Sequence, residues 1–401
     1  MDNRRSIVIA ALRRYGRCAK RDVDEAFAGG GAPVMSSHNT SIEKLPWWSW
    51  LWPALAFGLL GLEFADIVHV ESALVLVLTA LLVLATVFAA VHHAEILALR
   101  VGEPFGSILL AIAVTVIEVA LIASIFLSPT EGAETVARDT VYSAAMIVLN
   151  GVVGLCLLVG GKRHHEQAFE LHGAAAALAV LSTLATLTLI LPNYTLTIRG
   201  PYYSFAQLIV VGAVSLILYG VFIFVQTVRH RDYFLVDPSL DAIDHGLRPS
   251  GRMAFASALF LIICLVGVIF LAKSLSSPLT EAVVGLGLPL SLVGVVIAGI
   301  VLLPEATASL RAALANQIQN SLNLALGSAL ASIGLTIPTL GAMSLLTGKE
   351  ISLGLGPAQQ VLLALTLLSS ILTLGTGRST MLQGAVHLAI FCVFLLLEVV
   401  P

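Results

Sequence analysis

After residue 45 the chain is a succession of apolar stretches separated by short polar breaks, and most of these stretches are near the ~20 residues that a helix needs to cross a bilayer. In hydrocarbon a backbone must satisfy its own hydrogen bonds, which leaves helices or closed barrels as spanning structures, and stretches of this length are helical. The spans fall at 47–65, 73–94, 104–128, 140–161, 171–191, 204–228, 252–273, 282–311, 320–346, 357–375 and 382–399. With 58% hydrophobic and only 11% charged residues, the chain holds more apolar surface than a soluble core can hide. The expected class is an all-α polytopic membrane protein of about eleven transmembrane helices.

The polar segments orient the bundle. Residues 1–45 are rich in arginine (RRSIVIAALRRYGRCAKR) and then in small residues (AGGGAPVMSSHN), without the apolar core and cleavage site of a signal peptide. They read as a cytoplasmic extension. Trp47, Trp48, Trp50 and Trp52 open the first span as an interfacial belt. With the N-terminus inside, all of the 21 Lys and Arg except Arg138, Arg199, Lys273 and Lys349 fall on the cytoplasmic side. The positive-inside rule therefore places the C-terminus on the periplasmic or extracellular face of an inner (cytoplasmic) membrane. Cys18, Cys156, Cys264 and Cys392 show neither a disulfide framework nor a zinc spacing.

One internal polar segment is long. RHRDYFLVDPSLDAIDHGLRPSGR contains Asp232, Asp237, Asp241 and Asp244, which are candidate regulatory Ca²⁺ contacts or simply a solvated linker. Taken as 229–251, it separates a leading helix and first five-helix block (46–228) from a second five-helix block (252–401). An odd number of spans per block reverses the second block relative to the first, the arrangement of inverted-repeat transporters.

Two carboxylates lie where hydrocarbon is expected: Glu118 in AIAVTVIEVALIASIF and Glu305 in GVVIAGIVLLPEATASL. An ionisable residue at that depth normally faces the bundle interior or an aqueous path and binds something positive. Each falls in the second helix of its block, so inversion brings both towards the midplane. A hard cation such as Ca²⁺ needs six or more oxygens, so two carboxylates do not complete a site. Thr115, one turn before Glu118, together with Asn150, Ser309, Ser328 and the carbonyls near Leu302, are the further candidates for cation or proton binding. Pro304 removes a backbone donor beside Glu305 and can free a carbonyl there.

The runs VHHAEILALRVGEPFGSILLAIAVTVIEVALI (91–122) and LLPEATASLRAALANQIQNSLNLALGSALASIGLTIP (302–338) resemble the ChaA-type calcium/proton antiporters, a bacterial branch of the cation/calcium exchanger superfamily. RDTVYSAAMIVLNGVVGLCLLVGGKRHHEQ and TGRSTMLQGAVHLAIF extend the likeness over nearly everything after residue 70. The resemblance implies eleven helices, two inverted repeats and one essential acid in each, with Glu118 at the end of the Gly-Asn-Ala-Thr-Glu motif and Glu305 in the second repeat. It also implies Ca²⁺ and H⁺ as transported species. This chain departs from the wider family three residues before each acid, where Thr115 and Leu302 replace asparagine, and at Ala331, where a glutamine is usual. Fewer amide oxygens keep Na⁺ or K⁺ open as alternative cargo.

Ion and protons would compete for the same carboxylates, and that competition couples their movements. No HExxH, G-x-S-x-G or Walker A loop supports an intramembrane enzyme. A channel would need a repeated filter or an oligomeric ring of acids. No cofactor and no nucleic-acid partner is expected; membrane lipid is. His92 with Glu95, and His164 with His165 and Glu166, read as polar rims of spans, and His387 as a hydrogen-bonded structural residue or proton relay. Arg311 is expected to extend towards the cytoplasmic surface rather than pair with Glu305.

Overall fold

The computed structural model describes residues 45–67, 72–102, 105–127, 132–234 and 249–400. Among the described residues the helices are α1 Trp47–Phe64, α2 Ala73–Val101, α3 Phe105–Phe126, α4 Glu134–His164, α5 Leu171–Tyr194, α6 Phe205–Arg229, α7 Gly251–Gly285, α8 Ser291–Leu314, α9 Ile318–Thr347, α10 Pro357–Leu374 and α11 Met381–Val399. Nine of these, α2 and α4 to α11, are long and apolar enough to cross a membrane, and α3 adds a shorter apolar helix over Ile112–Phe126. The protein is a multi-pass membrane protein. Its strands among the described residues form one short antiparallel pair, β1 Glu166–Ala168 with β2 Arg378–Thr380, which ties the α4–α5 connection to the α10–α11 connection.

Local chemistry explains the boundaries. Ser72, Ser204 and Ser250 cap α2, α6 and α7 by accepting from the backbone N–H three residues on. The expected end of the second span at residue 94 is too early. Nothing in His92, His93 or Glu95 breaks a helix, and α2 runs on to Gly102, whose φ of +79° is the left-handed stop that glycine favours. Likewise α7 continues through Pro278 to Gly285 and takes residues expected to open the next span. The break comes at Gly287 (φ +72°) and Pro289, so α8 begins at Ser291 rather than 282.

The two blocks show matching features. Each carries its acid in its second helix, α3 or α8, and each has a π turn in its third, Ile147–Val152 in α4 and Ser332–Thr336 in α9. Contacts between the blocks are reciprocal: α2 lies along α7, α3 meets α9, and α4 meets α8. Apolar packing divides into two clusters. One joins α1, α2 and α7; the other joins α4, α5, α6, α9, α10 and α11. The acid-bearing helices belong to both. Ile117, Leu121 and Ile125 of α3 enter the first cluster while Ile122 and Phe126 enter the second. On α8 the split is Val293, Ile297 and Val301 against Ala298 and Leu302.

Candidate ion-binding site

Glu118 is 4% exposed, on the face of α3 turned towards α9. Its Oε2 accepts a hydrogen bond from Ser332 Oγ at 2.7 Å, while its Oε1 is buried without a hydrogen-bond partner. Ser332 opens the π turn of α9, and such turns recur at functional sites because the extra residue redirects the side chains around it. A carboxylate of the first block is thus held by a hydroxyl of the second.

Glu305 follows Pro304 within α8, and both of its carboxylate oxygens are buried without a hydrogen-bond partner. Because Pro304 has no N–H, the carbonyl of Ile300 four residues earlier loses its helical donor. Glu118 and Glu305 act on each other electrostatically, so the fold brings the two acids into one field. Glu95 of α2 adds a third, weaker contribution to that field and is itself drawn to Arg311. Ionised carboxylates removed from water and left without partners are destabilised by several kcal/mol, which a bound cation or proton relieves.

The other sequence candidates are placed as follows. Thr115 is buried on α3, one turn before Glu118. Ser309 is fully buried one turn after Glu305, its hydroxyl without a partner. Ser328 is half-buried on α9, one turn before Ser332. Leu302 packs its side chain into the apolar cluster, which leaves only its backbone carbonyl for an ion. Asn150 is fully buried in the π turn of α4, where its Nδ2 donates to Thr366 Oγ1 at 2.9 Å and its Oδ1 meets His387 Nδ1 at 3.1 Å. His387 Nε2 meets Thr373 Oγ1 at 3.2 Å, so Asn150 spends its amide on α10 and α11. Asp232 is exposed in a turn of 3₁₀ helix, Arg231–Tyr233; Asp237, Asp241 and Asp244 lie outside the described residues.

Two residues near the acids have no sequence signal. Ser332 is one of several serines in a helix of small residues, GSALASIG, and only the crossing of α9 over α3 singles it out. Tyr219 of α6 packs on Gly334, where an added Cβ would lie 3.0 Å from the Tyr219 side chain, and it feels the Glu118 charge.

The sodium/calcium exchanger protein family matches residues 71–228 and 256–400. A Sinorhizobium fredii protein named only as an ionic transporter, y4hA, is 54% identical over 357 residues, covering 89% of this chain and 97% of that protein. The sodium-potassium/proton antiporter ChaA of Escherichia coli is 35% identical over 317 residues, covering 78% of this chain and 86% of its own length. Among solved structures, the H⁺/Ca²⁺ exchanger CAX superposes with a TM-score of 0.67 at 16% identity, covering 87% of each chain, a likeness of fold.

Proposed function

This chain belongs to the sodium/calcium exchanger protein family, a family of transporters and not of enzymes, and we propose that it exchanges Ca²⁺ for protons at Glu118 and Glu305 by alternating access. The observation that carries this reading is the pair of acids from equivalent helices, with three buried carboxylate oxygens lacking hydrogen-bond partners. Two ionised carboxylates match one divalent cation in charge; two protons neutralise the same pair. The competing species therefore cross the membrane in opposite directions on one set of oxygens. Ser332, Ser309, Thr115 and the carbonyl released by Pro304 are the neutral oxygens nearest in chain or contact, a modest set for an ion that takes six to eight. The C-terminal end faces the outside of an inner membrane, and the proton gradient drives cations out of the cytoplasm.

A second reading, Na⁺ or K⁺ in place of Ca²⁺, is favoured by two observations. ChaA, by name a sodium-potassium/proton antiporter, is 35% identical. Asn150, which could add an amide oxygen for a divalent ion, is engaged by His387 and Thr366. Everted vesicles separate the cases: Ca²⁺, Na⁺ or K⁺ is added to a pre-formed acid-inside gradient, and the ion that collapses it is cargo. Glu118→Gln and Glu305→Gln should each abolish that response while folded protein remains in the membrane. Near-normal exchange by either variant removes that acid from the site.

A further inference from the structure

A second buried group of ionisable side chains lies where the start of α4, the start of α8, the start of α10 and the end of α11 converge. Asp139 of α4 and Glu398 of α11 are each 4% exposed. Arg138 holds Asp139 Oδ1 with Nε at 2.8 Å and Nη2 at 2.7 Å, and its Nη1 donates to Ser352 Oγ at 3.2 Å and to the Gly354 carbonyl at 2.8 Å. That guanidinium is therefore committed to Asp139 and to the 348–356 connection. Among the described residues, Glu398 has no Lys or Arg within ion-pair distance, although Arg138 acts on it from further away.

Gln359 links the two acids. Its Oε1 accepts from Gly356 N–H at 3.1 Å at the start of α10, which fixes which end of the amide faces inward. The Nε2 end donates to Glu398 Oε1 at 3.4 Å and also reaches Asp139. A single amide nitrogen between two carboxylates keeps them close. Ser291, the first residue of α8, lies beside Glu398. Tyr142 lies one turn beyond Asp139, fully buried, its hydroxyl without a hydrogen-bond partner and under the charge of both Glu398 and Asp139. Its ring meets Phe394, one turn before Glu398, edge-on at 5.6 Å and 76°, so the hydroxyl lies in the layer between α4 and α11.

Two carboxylates and one guanidinium leave this cluster with one negative charge more than it balances. The groups around the acids are hydrogen donors: guanidinium, amide N–H₂ and hydroxyls. These donors occupy carboxylate oxygens and leave few further oxygens for a metal ion, while the one uncompensated negative charge of the buried cluster is relieved by a single proton. No group of three or more His, Cys, Asp or Glu that could hold a metal occurs among the described residues.

We propose that Asp139 and Glu398 form a second proton-binding site, bridged by Gln359 and faced by Tyr142, that holds one exchangeable proton apart from the Glu118–Glu305 pair. The site rests on this geometry; a part for it in exchange rests on the antiport reading above. The connection to that pair is α8, whose first residue, Ser291, lies beside Glu398 and which carries Glu305. At Gly294 of the same helix an added Cβ would lie 2.8–2.9 Å from the Asp139–Thr140 backbone, so α8 and α4 touch directly beside the cluster. Adding or removing one proton there changes the charge at the seam between these helices.

Infrared difference spectra between acidic and alkaline buffer, taken on the lipid-reconstituted protein without any transported cation, test the site independently of antiport. The unmodified protein should show a protonated-carboxyl band, shifted in heavy water, that persists in the Glu118→Gln/Glu305→Gln double variant and disappears in Glu398→Gln. Tyr142→Phe keeps the charges and should move the band without removing it, which preserves the test if Glu398→Gln does not fold. A band that vanishes in the double variant, or one untouched by both Glu398→Gln and Tyr142→Phe, would overturn the proposal.

Discussion

At the scale of single residues, Ser332 has the most direct hold on the site, because its hydroxyl is the hydrogen-bond donor to Glu118 across the block boundary. A hydrogen bond to a charged group contributes about 1.5–3 kcal/mol. Ser332→Ala should therefore weaken cation binding, raising the half-saturation concentration roughly tenfold or more at fixed pH, since ~1.4 kcal/mol is a factor of ten. Ser332→Thr, which restores the hydroxyl, should recover most of it. Cation titration in proteoliposomes decides the matter: equal half-saturation for Ser332→Ala and the parent would reduce Ser332 to a packing residue. Asn150 and His387 teach a complementary lesson. Both are fully buried and each satisfies the other, so their hydrogen bonds determine where the amide points before any ion arrives.

At the scale of elements, that pairing exists because α4 and α11 approach unusually closely. A Cβ on Gly154 would lie 2.9 Å from His387 Cβ, one on Gly161 would lie 2.5 Å from Met381 N, and one on Gly384 would lie 2.3 Å from Leu158 N. Small residues are what let membrane helices bring their backbones together, where dispersion and hydrogen bonds replace the missing hydrophobic drive. Gly384→Ala should push the two helices apart at a cost of about 1–3 kcal/mol, typical of overpacking. A lowered melting temperature in detergent is the expected result. Gly220→Ala on α6, where an added Cβ meets nothing within 4 Å, is the matched control and should melt like the parent. Equal melting of both variants would show that the α4–α11 approach carries no stability.

At the scale of the whole molecule, the division of the core defines what can move. The α1–α2–α7 cluster and the larger cluster are separate apolar units, and α3 and α8 lie on the seam with one acid each. Under the exchange proposed above, a shift of one unit past the other is the movement that would expose the acids alternately to the two sides; the π turns of α4 and α9 belong to the larger unit. The acidic linker is fastened at both ends. Asn323 and Gln319 of α9 donate to the carbonyls of Phe234 and Tyr233 at 2.5 and 3.4 Å, and Arg100 at the end of α2 donates to that of Pro249 at 3.1 Å. The described residues on its two sides are thus held by helices of the two clusters, α9 and α2. Asp232 is exposed, and exposed charges are screened beyond ~8 Å at physiological salt; if the acidic segment is only a linker, replacing Asp232, Asp237, Asp241 and Asp244 together by asparagine should leave the half-saturation for Ca²⁺ within about twofold of the parent. A larger shift in the flux titration would make the linker a Ca²⁺-responsive tether.

Sequence alone determined the number of helices, the membrane class and the placing of one acid in the second helix of each block, because spanning length and the penalty for charge in hydrocarbon are local properties of the chain. The resemblance to exchangers was legible for the same reason, in continuous runs around Glu118 and Glu305. Helix ends were less so: α2 outran its expected limit and α7 absorbed the start of the next span, since polar residues at a membrane surface do not break a helix and a positive-φ glycine does. What the tertiary structure decided was who meets whom. Ser332 reaches Glu118 over a separation of 214 residues, and Asn150 turns to His387 over 237. Neither contact has a period or spacing to announce it, because each arises where two helices of opposite blocks cross, and a crossing depends on packing across the whole bundle.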